Sequence, residues 1–433
     1  MRIAFLHPDM GIGGAEQLVV NLAMSCKQLG HYVKIFTPSY DPTRALEQIK
    51  DGTIDLEVRG NFFPRRIFGK FHALCEYIRV FLAAMYLVFF GGNFDVIVID
   101  QIPLAIPMLN LRFKTFFYCH YPDKLLCTER KGIFKKIYRY IIDTIEEITM
   151  LFAHEIAVNS YYTQGIFKES FRIINKFKKN PPSVIYPCIN LSDYDIKKVE
   201  KKDLTSIRGL ESLKDRNVSK LRVIVSLNRY ERKKNLMLAM DSYLNFMNSY
   251  LGTHTEEEVD QHILIIAGGF DPSLHENIEV YSELSGCADI SVHKNNIFFL
   301  KNISGEERSI LLKTANLVIY TPKNEHFGIV PVESMYCGAM VVAHKSGGPT
   351  ESIKDGETGY LMDNEDQKKW GFKLFDYFKV EKNFDLDNMN NKETKNKLKK
   401  HVFDLFSLET MRNDMYEILK NLCPKKINPS KKE

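Results

Sequence analysis

Short apolar runs alternate with amphipathic stretches along most of the chain. Residues 2–8 (RIAFLHP) form one apolar run, DMGIGGAEQ follows, helix-spaced apolar positions occupy 15–29, and 31–37 (HYVKIFT) is apolar again. A strand, a glycine turn, a helix and a second strand predict the opening of a parallel α/β sheet. Further buried strands are predicted at 94–100 (FDVIVID), 115–121, 155–160 and 183–187. A second series occupies 221–228 (LRVIVSLN), 262–269, 296–300, 316–322 and 339–344, each separated by helix-length segments. The predicted architecture is α/β: two doubly wound, parallel-sheet (Rossmann-like) domains in tandem.

Residues 196–220 are rich in charge and poor in apolar periodicity, which predicts a linker or surface excursion. The expected division is 1–195, the linker 196–220, a second domain over 221–405, and a terminal helix with a basic tail at 406–433. Residues 379–400 read as an exposed polar insert, and 407–422 as a helix capped by Ser407 or Thr410.

Length agrees, since 433 residues are many for a single core. A net charge of +5 is too mild to single out nucleic acid as a partner. The eight cysteines include no CxxC pair, which argues against a zinc site or a disulfide framework and for reduced thiols facing the cytosol. The N-terminal apolar run is too short for a signal peptide. The longest apolar run, Val80–Phe90, falls short of the ~20 residues that span a bilayer, and reads as a core helix or one lying in a membrane surface.

Three stretches carry candidate chemistry. Gly11-Ile12-Gly13-Gly14 sits between strand and helix, where glycines let backbone approach a phosphate; a tight turn without a ligand explains it equally well. Its spacing departs from G-x-G-x-x-G with an acidic ribose partner, so a nicotinamide oxidoreductase is poorly supported. LNRYERKKN (227–235) sends Arg229 and Lys234 from a strand end at the sheet edge where open α/β domains bind ligands. Two cations there suit a diphosphate, and a solvated basic turn is the plainer reading. In NEHFGIVPVES (324–334), Glu325 precedes a helix start and Glu333 lies one turn inside it, with the amides of Phe327, Gly328, Ile329 and Val330 at the turn. HKSGGPTES (344–352) repeats the glycine-then-helix theme. Several helix N-termini and two cations in one cleft call for a phosphate.

Taken together, Glu325-x7-Glu333, Arg229 with Lys234, the GGAE loop and SGGPTESIKDGETGYL (346–361) resemble the retaining glycosyltransferases of GT-B fold, family four. FYCHYPD (117–123), NRYERKKN (228–235), IAGGFD (266–271) and YTPKNEHFGIVPVESMY (320–336) narrow the resemblance to the alpha-1,3/1,6-mannosyltransferases of dolichol-linked oligosaccharide assembly. It covers most of residues 1–362. The resemblance implies an acceptor-side N-terminal domain and a nucleotide-sugar-binding C-terminal domain facing a cleft. It implies GDP-mannose as donor, a dolichol-diphosphate-linked acceptor, and a place on the cytosolic face of the endoplasmic reticulum membrane beside other glycosyltransferases of the pathway.

By the same resemblance, Arg229 and Lys234 hold the departing diphosphate, Glu333 the ribose hydroxyls and Glu325 the donor sugar. Gly13 and Gly14 let the N-terminal domain close on the phosphates, amides 327–330 support sugar and phosphate, and His120 contacts the sugar from the opposite domain. No obligatory metal or cofactor is implied, because cations and helix dipoles neutralise the diphosphate. Two D-x-D lookalikes, Asp193-Tyr194-Asp195 and Asp385-Leu386-Asp387, read as surface.

On the acceptor side, residues 59–79 mix five cations (Arg59, Arg65, Arg66, Lys70, Arg79) with aromatics beside the apolar run. This suits an anionic membrane surface or the diphosphate of a lipid-linked acceptor; a basic loop over a core helix is the alternative. Two other functional classes stand beside the main one. A soluble nucleotide-sugar transferase with another acceptor would lack a use for the basic aromatic segment. An inactive tethering subunit would be expected to have lost its cleft charges, whereas Glu325, Glu333, Arg229 and Lys234 are all present.

Overall fold

The computed structural model describes residues 1–67, 71–126, 132–195, 199–381 and 389–424; Lys70, Cys127, Asp385 and Asp387 lie outside them. Two compact units result. The first comprises Met1–Cys188 and Leu408–Glu433, the second Ile189–Ser407.

In the first unit, β1 (Arg2–Leu6), β2 (Tyr32–Thr37), β3 (Asp55–Val58), β4 (Val96–Asp100), β5 (Lys114–Cys119), β6 (Glu155–Val158) and β7 (Ser183–Val184) form one parallel sheet in the order β3-β2-β1-β4-β5-β6-β7. Successive side chains on a strand face opposite ways, so each strand supplies two cores. Ile3, Phe5, Val96, Val98 and Phe116 pack on the side of α1 (Gly14–Gln28). Ala4, Leu6, Ile97, Ile99 and Phe117 pack on the side of α2 (His72–Phe90) and α3 (Ile133–Leu151). The apolar run that starts at Val80 in the sequence is thus the second half of a 19-residue helix. By length and composition α2 could cross a membrane, yet Val80, Ala83, Ala84 and Leu87 are completely buried against the sheet.

The second unit repeats the plan with β8 (Arg222–Leu227), β9 (His262–Gly268), β10 (Ile297–Lys301), β11 (Leu317–Tyr320), β12 (Met340–His344) and β13 (Gly359–Met362), all parallel, in the order β10-β9-β8-β11-β12-β13. Its helices include α4 (Leu236–Leu251), α5 (Gly305–Thr314), α6 (Ile329–Tyr336) and α7 (Met389–Phe406). After Ser407 the chain rejoins the first unit as α8 (Leu408–Leu422), which adds Met411, Met415 and Leu419 to the core beside α1.

Several boundaries differ from the sequence reading. The stretch read as a linker belongs to the second unit from Ile189 onward. There 201–206, 211–215 and 218–220 are 3₁₀ turns, and Leu204, Ile207, Leu210 and Leu213 are fully buried. Their spacing of three aligns them on one side of a 3₁₀ path, which a search for period 3.6 does not see. The stretch read as a polar insert, 379–400, runs into α7, whose Leu398, Val402 and Phe406 recur every four residues and are buried. Strands β3 and β13 were not predicted; both are four-residue edge strands with mostly half-buried side chains, so no apolar run marks them.

Candidate active site

An open parallel sheet binds ligands beyond the strand C-termini, at the point where the strand order reverses. In the first unit that point lies between β1 and β4. Three residues project there from adjacent strands: His7 just after β1, Asp100 at the end of β4 and His120 just after β5. His7 Nδ1 lies 2.8 Å from both Asp100 oxygens, and His120 Nε2 lies 2.9 Å from Asp100 Oδ2. A carboxylate only accepts, so His7 Nδ1 and His120 Nε2 both carry protons, and the other ring nitrogen of His120, Nδ1, is turned away from Asp100. His7 Nε2 is 4.0 Å from Glu16 Oε1 in the first turn of α1.

The electrostatics follow from burial. Desolvation alone would lower the pKa of His7, but the Asp100 carboxylate outweighs it and raises the value to about 10. Burial opposes ionisation of Asp100 as well, and the two histidines overcome it and hold its pKa below the usual carboxylate value. Glu16 is shifted down in the same sense, burial being outweighed by the protonated His7 beside it. The line Glu16–His7–Asp100 is therefore charged in alternation at neutral pH and leads from the glycine loop to the hydrogen bond with His120. Gly13 caps α1 in extended backbone that any residue could adopt; what it supplies is room, since a Cβ there would stand 2.2 Å from Glu16 Oε2.

In the second unit the strand order reverses between β8 and β11. Lys234 ends a short 3₁₀ turn after β8, and Glu325 follows β11. Lys234 Nζ and Glu325 Oε1 are 2.6 Å apart, with Lys234 largely buried. The Tyr320 hydroxyl lies 3.5 Å from the other oxygen of Glu325. Thr321 Oγ1 donates to the Lys234 carbonyl at 2.7 Å, tying the two loops together. Gly328 (φ 80°) starts α6 in the left-handed region, where glycine is favoured, and aims the first-turn amides of Ile329 and Val330 out of the helix.

The backbone of 325–327 is clamped by the next glycine pair. Gly348 N donates to Glu325 O at 2.8 Å, and a Cβ on Gly348 would stand 2.0 Å from Phe327 O. From the other side Phe327 meets Phe406 of α7, ring centroids 5.5 Å apart. Gly348→Ala is expected to push the Glu325 loop off the lysine. It should cost about 2–4 kcal/mol of stability and lower donor affinity together with it, measured by denaturant unfolding and titration calorimetry.

Not every residue singled out in the sequence joins this pair. Arg229 is 59% exposed and ion-paired with Glu231 at 2.7 Å, and Glu325 is not among its partners. Arg232 reaches Glu279 and Glu283 on the surface. Glu333 sits inside α6 with its carboxylate engaged by Arg308 of α5 and by the Tyr194 hydroxyl at 2.8 Å. Arg308 stands in an ordinary helical context that gives no signal. Tyr194 shows in the sequence only as the middle of a D-x-D lookalike read as surface, whereas its side chain is buried. His7 and Asp100 give no signal either, because their partnership needs three strands to be neighbours. Arg65 donates to the Ser39 hydroxyl, Arg66 is exposed, and Asp195 accepts from Tyr336 at 2.6 Å.

A lysine–glutamate pair at one switch point and a histidine anchored by a buried aspartate at the other mark a glycosyltransferase of GT-B fold. Residues 12–193 match the model of Glycosyltransferase Family 4, and residues 211–402 that of Glycosyl transferases group 1. Sucrose-phosphate synthase from Thermosynechococcus elongatus superposes with a TM-score of 0.70 at 17% identity, over 98% of this chain and 99% of that one. The alpha-1,3/1,6-mannosyltransferase ALG2 of Dictyostelium discoideum is 39% identical over 98% of both chains, and human ALG2 is 39% identical over 83% of each. The chain belongs to the alpha-1,3/1,6-mannosyltransferase ALG2 family and is an enzyme of that class.

Proposed function

We propose that the protein transfers mannose from GDP-mannose to a dolichol-diphosphate-linked Man1-2GlcNAc2 acceptor with retention, first alpha-1,3 and then alpha-1,6, in N-glycan precursor assembly. The Lys234–Glu325 pair at the β8/β11 switch point carries this reading. Lys234, joined by Arg229 when it leaves Glu231, neutralises the diphosphate as the bond from the anomeric carbon to the phosphate oxygen breaks. The acceptor hydroxyl attacks the same face, and the departing phosphate oxygen takes its proton. Glu325 orients the sugar, the amides of Phe327, Gly328, Ile329 and Val330 add partial positive charge, and Glu333 holds the ribose hydroxyls by exchanging one of its present partners. Gly13 and Gly14 leave room for the phosphates, and His120 presents Nδ1 to the sugar.

In this reading no divalent metal takes part. Work is done on the cytosolic face of the endoplasmic reticulum membrane, near the pathway's other glycosyltransferases, with Arg65, Arg66 and Lys70 close to the acceptor diphosphate. The test is transfer from GDP-mannose to synthetic Man-GlcNAc2-diphosphate-lipid in EDTA, with product linkages resolved. Two successive mannoses in alpha-1,3 and alpha-1,6 linkage are expected. Complete loss of transfer in EDTA, restored by magnesium or manganese, would overturn the metal-free reading.

A further inference from the structure

Helix α3 is apolar on two sides. Its inner side carries Arg139, Ile142, Glu146, Thr149 and Met150, all buried. Its outer side should be polar in a helix that faces water. Instead, Phe134, Ile137, Ile141 and Ile148, with Phe152 at its C-terminal end, follow one another three, four or seven residues apart and stand exposed, Phe134 at 88%. Positions 133, 134, 137, 140, 141, 144, 145, 148 and 152 include no charged residue at all.

The acids of this helix are used elsewhere: Asp143 pairs with Arg139, and Glu146 accepts from the backbone of Asp123 and Lys124. The exposed bases Lys135 and Lys136 are confined to the first turn, at the end of the stripe. At the start of α2, Phe71 stacks edge-on against Tyr138 of α3, and the backbone of Leu74 donates to the Tyr138 hydroxyl. Phe71 and Leu74 are themselves exposed and extend the apolar area.

We infer that the outer face of α3 is the surface on which this protein lies on a lipid bilayer, with α3 in the plane of the headgroups. An apolar stripe with lysines at its edge fits acyl chains below and anionic headgroups beside it. A second copy of the chain fits less well. At 1.5 Å per residue, α3 is ~28 Å long, and a stripe ~10 Å wide offers roughly 300 Å², well short of the ~800 Å² per partner of a stable interface. A bilayer needs no shape complementarity and accepts a narrow stripe. The inference rests on the reading of a lipid-linked acceptor, because it gives the first unit the membrane position from which such an acceptor is reached.

The experiment is flotation of the full chain with vesicles of phosphatidylcholine and phosphatidylinositol, for the wild type and for Ile137→Glu with Ile141→Glu. Both substitutions are on the exposed face, so the fold is expected to survive. Vesicle partitioning should drop on the order of tenfold or more, transfer to the lipid-borne acceptor should fall with it, and transfer to a short water-soluble acceptor should not change. Lys135→Glu with Lys136→Glu should remove the preference for anionic vesicles while leaving weaker binding to neutral ones. Unchanged flotation of the Ile137/Ile141 variant would overturn the inference, as would a wild-type dimer that the variant converts to monomer with flotation intact. A wild type that floats through α3 yet transfers nothing to a lipid acceptor would sink the functional reading and leave the membrane face standing.

Discussion

Replacing Lys234 by alanine is expected to lower kcat/KM by about 10²–10³-fold while the protein stays folded. The lysine is largely buried, its ammonium 2.6 Å from Glu325, and in the proposed mechanism it stands where the leaving diphosphate gathers charge. Charge that develops in the transition state meets a fixed cation that needs no reorganisation. Most of the loss should therefore appear in kcat and less in donor affinity. Glu325→Gln keeps an acceptor for Lys234 but removes the negative charge facing the sugar, and should cost a similar factor. Since the two side chains touch, the double variant should lose much less than the product of the single losses. Steady-state kinetics of the three variants decide the matter. A Lys234→Ala enzyme within tenfold of wild type would make the pair a structural brace.

Asp100→Asn is expected to have the second largest effect, although Asp100 itself lies buried behind His120. It is a positioning residue. Its carboxylate holds a proton of His120 on Nε2 and leaves Nδ1 on the side of the ring away from Asp100. The neutral amide has one accepting oxygen and a donating NH2 group in place of the second, so the tautomer is no longer imposed by a charged acceptor. We expect kcat to drop about 10²-fold, with little further loss when His120→Ala is added, and the nitrogen chemical shifts of His120 should report a mixture of tautomers.

Stability against pH separates this from a merely structural loss. With its pKa raised to about 10, His7 contributes stability that is complete below its ordinary value near 6.5 and is lost as pH rises through about 10. Asp100, shifted down, contributes stability present above its ordinary 3.8 and lost as pH falls through its folded value. The gap between wild type and Asp100→Asn should thus be widest near pH 5–6 and narrow steadily toward pH 10, as measured by denaturant titration. A gap independent of pH would mean that the pair is not ionised as described.

Periodic features were legible without coordinates. The strands from β1 to β12, apart from β3, announced themselves as apolar runs, most of them because both faces are buried, and α1 and α8 through helical spacing. Glu325 and Lys234 were found because each directly follows a buried strand, and chain direction alone puts such residues at the ligand-binding edge of a parallel sheet. Illegible were features with another period or none. The turns at 201–215 bury Leu204, Ile207, Leu210 and Leu213 at every third position, α7 hides three apolar positions in a polar sequence, and edge strands β3 and β13 are half-buried. The outer stripe of α3 escaped notice because a helix apolar on both sides reads in sequence as one that is simply buried.

Sheet architecture and the order of the chemistry along the chain follow from local sequence. Strand direction and loop position are local properties, set by apolar runs and glycine turns. Which residues became partners was set by the packing of the chain in three dimensions. It joined Glu333 to Arg308 and Tyr194, withdrew Arg229 to Glu231, and placed His7, Asp100 and His120 on neighbouring strand ends. Those pairings span from two to well over a hundred residues, and strand order, not spacing along the chain, brings the long ones within hydrogen-bond reach. Exposure was likewise decided in three dimensions, because a helix has an outer face only once its inner face has been packed.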